Sequence, residues 1–558
     1  MFKKAVSIIL TAILFCCMTA CSPQTSKEVK LVPATKNVEK VVDVTSTVQK
    51  PVTTTESVQT VTDIVKLKID NLTPVQENYL GFNAVHEGFF MIPDDYGRDY
   101  TDEQIEEELK RIKESGLNMV RSYYEPNYCV SNVNGQIVYN WESSEMQGLY
   151  KWLTALKKMN VTVALNIGWG VTDLFTRPNS PNELANPYHK FDYEDVINYY
   201  SDFAVKTVEE VIIKRGFDNV KYFVMFTEPK TNDKETIYKD GKSIGQKDTY
   251  EVYVETVKAA SKALTDKKYR GKYVKLVGPN AGISTNFYTN GGCENVVDEL
   301  QWFIDRLDNY LDVYSLHWYI PTWPGNNFSS EATQYDDNYH TWTYYFEGLV
   351  EAVKKTGKPY WFDEWNYAVA DTGYIQTDFY GNQIAQCVVA TMNSGVQSSL
   401  YWQMFKNVWP HKVETSREFL SGIQQSGLGP SLYESAIPFK SYYAFSLLTK
   451  YGGNFGSKVY AGSSRNGICL SMVEYEENGK TVQSIIVVNA SSLSKNISIE
   501  LDKAIGATMY RHLWDPTTCK PTTAARVIDI DKAFKNVGNV LQDTLPSGAV
   551  AVYTTTKD

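Results

Sequence analysis

Positive charge is in short supply. Lys and Arg number 55 against 65 Asp and Glu, a formal net charge of −10 over 558 residues. A nucleic-acid partner would need a basic surface, so the balance argues against one. Cysteine is sparse as well, with eight in all. Cys16, Cys17 and Cys21 crowd the N-terminus, while Cys129, Cys293, Cys387, Cys469 and Cys519 form an odd, scattered set. No disulfide framework and no metal-ligand spacing is visible among them; Cys469 and Cys519 could pair, but buried free thiols are the simpler reading. No His-x-His pair and no Gly-x-Ser-x-Gly elbow occurs, which disfavours metal-dependent and serine hydrolases.

From Ser22 to about Asp63 the chain has neither glycine nor an aromatic residue and is built of Thr, Val, Lys, Glu, Ser and Gln. It lacks the large side chains a core requires and reads as a solvated tether, residues 22–63. Before it, Lys3 and Lys4 precede an apolar run from Ala5 to Phe15, then Met18-Thr19-Ala20-Cys21. The run is too short to span a bilayer and reads as an export signal, residues 1–21. It resembles a bacterial lipoprotein signal, which implies Cys21 as the lipidated first residue and an exported, lipid-anchored protein in the cell envelope.

Beyond residue 63 strand and helix patterns alternate. Apolar runs at Tyr79 to Val85, Leu117 to Tyr123, Val161 to Ile167, Val220 to Thr227, Tyr273 to Gly278, Val313 to Trp318, Pro359 to Glu364 and Gln397 to Gln403 are each followed by a helical period. Eight such pairs predict an α/β chain closed into a parallel (β/α)8 barrel, residues 64–452. After Gly453 short strands and turns, with the Glu477-Asn478-Gly479-Lys480 turn, predict an antiparallel β-sandwich over 453–558 that Ile64 to Ile69 could join. Aromatics reach 13%, mostly core and surface tyrosine, although planar rings also suit the apolar faces of sugars.

Two segments carry chemistry: Phe226-Thr227-Glu228-Pro229 and Phe362-Asp363-Glu364-Trp365-Asn366. Each sets a glutamate at the C-terminal end of a buried strand, the fourth and the seventh, and in a barrel such ends face one mouth. The paired motifs resemble the clan A glycoside hydrolases over roughly Lys66 to Gly452. The Asp363-Glu364-Trp365-Asn366 string is similar to family 51 arabinofuranosidases, the layout to family 39 xylosidase-like enzymes. That resemblance implies a retaining mechanism, with Glu228 as general acid then base and Glu364 as nucleophile, their carboxyls roughly 5 to 5.5 Å apart.

The same resemblance implies a supporting cast. Arg121 would bond the nucleophile's carboxylate, and Tyr319, two residues from His317 on the same side of the pleat, would do so as well. His317 would touch substrate or the acid, or serve structure alone. Trp402 would form a floor under the sugar or pack the barrel; Trp169 and Trp323 would flank it, the latter in a long loop from Ile320 to Asn338. Clan A members usually carry asparagine before the acid, where it bonds the sugar 2-hydroxyl. Here Thr227 stands there, a hydroxyl without the amide's reach. The expected function is therefore hydrolysis of O-glycosidic bonds in a plant or microbial oligo- or polysaccharide, with no metal or organic cofactor. The alternative is a carbohydrate-binding lipoprotein on a barrel that has lost turnover.

Overall fold

A computed structural model describes residues 63–86, 88, 91, 101–133, 135–170, 191–229, 234–282, 293–319, 338–366, 377–404, 437–522 and 528–557. All lie in one compact unit, Val61–Asp558. Eight parallel strands close into a barrel: β1 (Phe82–Val85), β2 (Met119–Tyr124), β3 (Thr162–Gly170), β4 (Val220–Thr227), β5 (Lys275–Gly282), β6 (Val313–Tyr319), β7 (Tyr360–Asn366) and β8 (Ser398–Tyr401), with β8 paired back onto β1. Helices α1 (Asp102–Ser115), α2 (Ser144–Lys158), α3 (Tyr193–Thr207), α4 (Thr249–Asp266), α5 (Cys293–Leu307), α6 (Tyr339–Lys354), α7 (Tyr380–Asn393) and α8 (Lys440–Tyr451) follow them in turn.

The strands form because both their faces are covered. One face fills the barrel with Val85, Met119, Tyr123, Ala164, Tyr222, Val224, Val277, Val313, Trp361 and Leu400; the other meets the helices through residues such as Phe223, Leu316 and Phe362. Helix starts are set locally. Thr101 and Gln104 make a reciprocal capping box at α1, Gly116 closes that helix with φ +75°, and Asp248 caps α4 by accepting from Tyr250 N at 2.9 Å.

The barrel begins later than its expected boundary at residue 64. Ile64–Ile69 pairs in parallel with Lys495–Leu501, and Gln76–Tyr79 pairs with Ser457–Arg465, so both belong to the C-terminal sheet. Alternation explains it: Val65, Leu67 and Ile69 point into a separate core with Leu470, Met472, Ile485, Ile499 and Tyr553. The C-terminal region is thus a ten-stranded, mostly antiparallel sheet enclosing its own core, and its remaining face packs on α7 and α8. A hairpin missed by the strand and helix periodicity, Lys234–Lys239 with Lys242–Asp248, is inserted after β4.

The contact between the two regions is tight at Gly381. A Cβ placed there would lie 2.7 Å from the Trp514 ring and 2.9 Å from Ala444 Cβ. Trp514 cannot swing away easily, being fully buried and donating Nε1–H to Lys440 O at 3.0 Å. Beside it Asn382 donates to Asn489 O and Gly548 O. Helix propensity favours alanine over glycine by about 1 kcal/mol, whereas overpacking costs about 1–3 kcal/mol, and here the clash wins. Gly381→Ala should lower the melting temperature in a circular-dichroism melt; an unchanged or higher value would show that the interface yields.

Candidate active site

Glu228 follows β4 and Glu364 lies in β7, at the same rim of the barrel. Carboxylate oxygens of the two, together with a ring nitrogen of His317 from β6, all lie within 4.8 Å of one another. The environments differ sharply: the Glu364 side chain is 5% exposed and that of Glu228 is 34% exposed.

Glu364 is gripped by donors. Arg121 Nη1 reaches its Oε2 at 2.7 Å, Tyr123 donates its hydroxyl proton to the same oxygen at 3.2 Å, and His317 Nδ1 lies 3.4 Å away. Arg121 is itself fully buried on β2. Its other donors go to Asn166 Oδ1 at 2.8 Å, Thr227 Oγ1 at 3.0 Å and the Asp363 carbonyl at 3.3 Å. A buried guanidinium is tolerable only when its N–H groups are satisfied in this way.

Glu228 is placed through its backbone. Its N–H donates to Asn280 O at 3.0 Å, and the Asn280 amide donates to Phe226 O. Phe226, Glu228 and Asn280 all hold left-handed φ values, +59°, +50° and +59°. Such conformations cost non-glycine residues roughly 1–3 kcal/mol each and persist where surroundings enforce them. Gly282 gives the carboxylate room, since a Cβ there would come within 3.3 Å of Glu228 Oε1.

His317 joins the two halves. Its Nδ1 lies 3.3 Å from Glu228 Oε1, and its Nε2 bonds Asn280 Oδ1. Burial pulls the imidazole's proton affinity down, but the Glu364 and Asp363 charges outweigh it, and against opposition from Arg121 they raise the pKa to about 9. Spacing alone would let the His317, Glu228 and Glu364 atoms hold a cation. The Arg121 guanidinium at 2.7 Å from Glu364 already supplies the positive charge there, so the residues fit a proton-transfer cluster better than a metal centre.

The structure thus brings together Glu228, Glu364, Arg121, Thr227 and His317. Thr227 turns its hydroxyl inward, accepting from Arg121 and donating to Asn166 Oδ1 at 3.2 Å. Trp402 is buried at the end of β8, edge-on to Tyr123 with ring centroids 6.0 Å apart. The Tyr319 and Trp169 side chains, Trp323 and its loop, and Cys21 lie outside the described residues, as does the Cys293 side chain. Tyr123, Asn166, Asn280 and Asp363 were not anticipated. Tyr123 could have been found from Arg121, since residues two apart on a strand share a face; Asn166 and Asn280 are amides inside otherwise apolar runs.

No family model matches the chain and no curated protein does. Solved structures do. The chain is similar to a GH39 β-xylosidase from Caulobacter crescentus, at 13% identity and TM-score 0.53 over 88% of this chain and 99% of that one. It is similar to a GH30 endoxylanase from Clostridium papyrosolvens C71, at 12% identity and TM-score 0.53 over 88% and 100%. It is likewise similar to a conserved exported protein from Bacteroides fragilis, at 12% identity and TM-score 0.57 over 88% and 99%. The shared fold is the barrel together with its β domain.

The ion pair makes a prediction that needs no substrate. Arg121→Met should leave Glu364 buried without its cation and cost roughly 3–5 kcal/mol in denaturant unfolding. Adding Glu364→Gln should recover part of that loss, so the double variant is more stable than the sum of single effects allows. Strict additivity would mean that the two side chains are not coupled.

Proposed function

We propose that the protein is a retaining glycoside hydrolase acting on O-glycosidic bonds of a plant or microbial oligo- or polysaccharide. The observation that carries this is the meeting of Glu228 and Glu364 at one barrel mouth, with oxygens within 4.8 Å in unlike environments. Retaining enzymes hold their carboxyls about 5–5.5 Å apart, whereas inverting enzymes need about 6.5–9.5 Å to admit a water. The shorter spacing leaves room for direct attack.

In this reading a Glu364 oxygen attacks the anomeric carbon as the bond to the departing oxygen breaks, and Glu228 gives that oxygen its proton. Glu228 then takes a proton from water, whose oxygen displaces Glu364 from the sugar. Arg121, Tyr123 and His317 aim and charge-balance the nucleophile. The neighbours that cleave xylans and xylosides make β-xylosides the first substrates to try. Thr227, whose hydroxyl is engaged by Arg121 and Asn166, argues that the sugar 2-position is met by another group.

Aryl glycosides test the assignment. Glu364→Ala and Glu228→Ala should each abolish most turnover while the fold survives. With an activated leaving group the Glu228 variant should keep glycosylation better than deglycosylation, because little protonation is then needed. Proton NMR should show the first-formed sugar with its original anomeric configuration, and chelator should leave the rate unchanged. Full activity in either glutamate variant, or inversion at the anomeric centre, would sink the mechanism; sugar binding without any turnover would favour the binding-only alternative.

Anchoring at the bacterial cell envelope through Cys21 belongs to the same proposal. Wild-type protein should take up labelled palmitate in a bacterial host, and Cys21→Ser should not. Equal labelling of the two would place the lipid elsewhere.

A further inference from the structure

Asp363 is the residue the mechanism above leaves unused. Between β6 and β7 the register runs Leu316 to Phe362 and then His317 to Glu364, so Asp363 is an extra residue, a bulge directly before the nucleophile. The bulge turns its carboxylate into the protein, where it is 1% exposed. Among the described residues neither oxygen has a hydrogen-bond donor, a costly state for a buried carboxylate. Oδ1 lies 3.6 Å from His317 Nε2, beyond hydrogen-bond reach but close enough for a strong charge interaction.

We propose that Asp363 is a positioning residue that acts through His317, holding the imidazole as a two-donor cation between the catalytic carboxylates. Nε2–H then donates to Asn280 Oδ1, and Nδ1–H faces Glu228 Oε1 and Glu364 Oε2 together. Arg121 Nη1 from β2 lies 3.0 Å from the same Nε2, a donor and a like charge that opposes the imidazolium, and the carboxylates of Glu228 after β4 and of Asp363 and Glu364 from β7 are what must outweigh it. The positive charges of Arg121 and His317 balance the negative charges of Asp363 and Glu364. The raised proton affinity of His317, to which Asp363 contributes, agrees with this arrangement. Tyr253 and Tyr360 also feel the Asp363 charge; burial first and that charge second hold both phenols neutral.

The purpose assigned to the cation rests on the glycosidase reading, but its test does not. Protein labelled with 15N-histidine is titrated by NMR, and the His317 signal is identified by its loss in His317→Gln. Wild-type His317 should remain an imidazolium at pH 7, and Asp363→Asn should lower its midpoint by about one pH unit or more, tenfold in proton affinity. A space-filling role would change melting temperature and leave that midpoint where it was. An unchanged midpoint, or a neutral wild-type His317 at pH 7, overturns the proposal. Should Asp363→Asn fail to fold, Asp363→Ser is titrated instead, and the wild-type criterion still decides. Failure to hydrolyse any glycoside, with the midpoint still shifted, would overturn the glycosidase reading and leave the Asp363 to His317 link in place.

Discussion

The buried pair of Arg121 and Glu364 constrains everything around it. Removing both charges from water costs several kcal/mol per ion, and their attraction offsets that only if the remaining donors and acceptors are met. Arg121 meets them by reaching across the barrel mouth to Asn166 on β3, Thr227 on β4 and the Asp363 carbonyl on β7, besides Tyr123 on its own strand. One side chain therefore ties together the upper ends of four strands. Thr227 shows the consequence. Its place directly before Glu228 suggested a substrate contact, but its hydroxyl is engaged in completing the guanidinium's shell.

Irregular backbone gathers around this pair. Register shifts break the pairing of β3 with β4 between Ile167 and Gly170, of β5 with β6 between Pro279 and Ala281, and of β6 with β7 between Leu316 and His317. The left-handed residues Phe226, Glu228 and Asn280 stand in the same zone. Below it, Val224, Val277, Val313 and Trp361 fill the barrel with apolar side chains, and the register shift there falls between Val163 and Ala164 where β3 pairs with β4. The division follows from what each half does: a packed interior rewards regular alternation, whereas aiming polar groups at one point requires strands to twist out of register. Stability built in the lower barrel and the β domain sustains strain at the rim.

Much of this was legible before any coordinates. Apolar runs of strand length, each followed by a helical period, give the eight pairs, and the two glutamates stand out because each ends such a run. Period alone could not say that Tyr123 meets Glu364. It is two residues from Arg121, as Tyr319, whose side chain lies outside the described residues, is two from His317, so each shares a strand face with a site residue, and which side chains reach Glu364 depends on the stagger between strands far apart in sequence. Bulges hide from pattern reading for the same reason: Asp363 looks like one more residue in a strand until its neighbour's register shows it to be extra. Ile64–Ile69 is a further case. Its alternation declares a strand with one buried face, but its partner Lys495–Leu501 lies over four hundred positions away, and nothing local names it.

The roles proposed for the two glutamates rest on their surroundings rather than on their order in the chain. A nucleophile must be rigid and correctly aimed, because its oxygen forms a bond to a single carbon; Glu364, almost wholly buried and held by Arg121 and Tyr123, meets that demand. In that mechanism the acid gives its proton to the departing oxygen and regains one from the attacking water, so water must reach it in the second step. Glu228 is the more exposed of the pair, positioned through its backbone by Asn280 and given space by Gly282. Exchanging the roles would ask the buried, cation-bound carboxylate to trade protons with solvent and the accessible one to attack. The geometry of Arg121 opposes both requirements, and so in the proposed mechanism the asymmetry of a single ion pair divides the two roles.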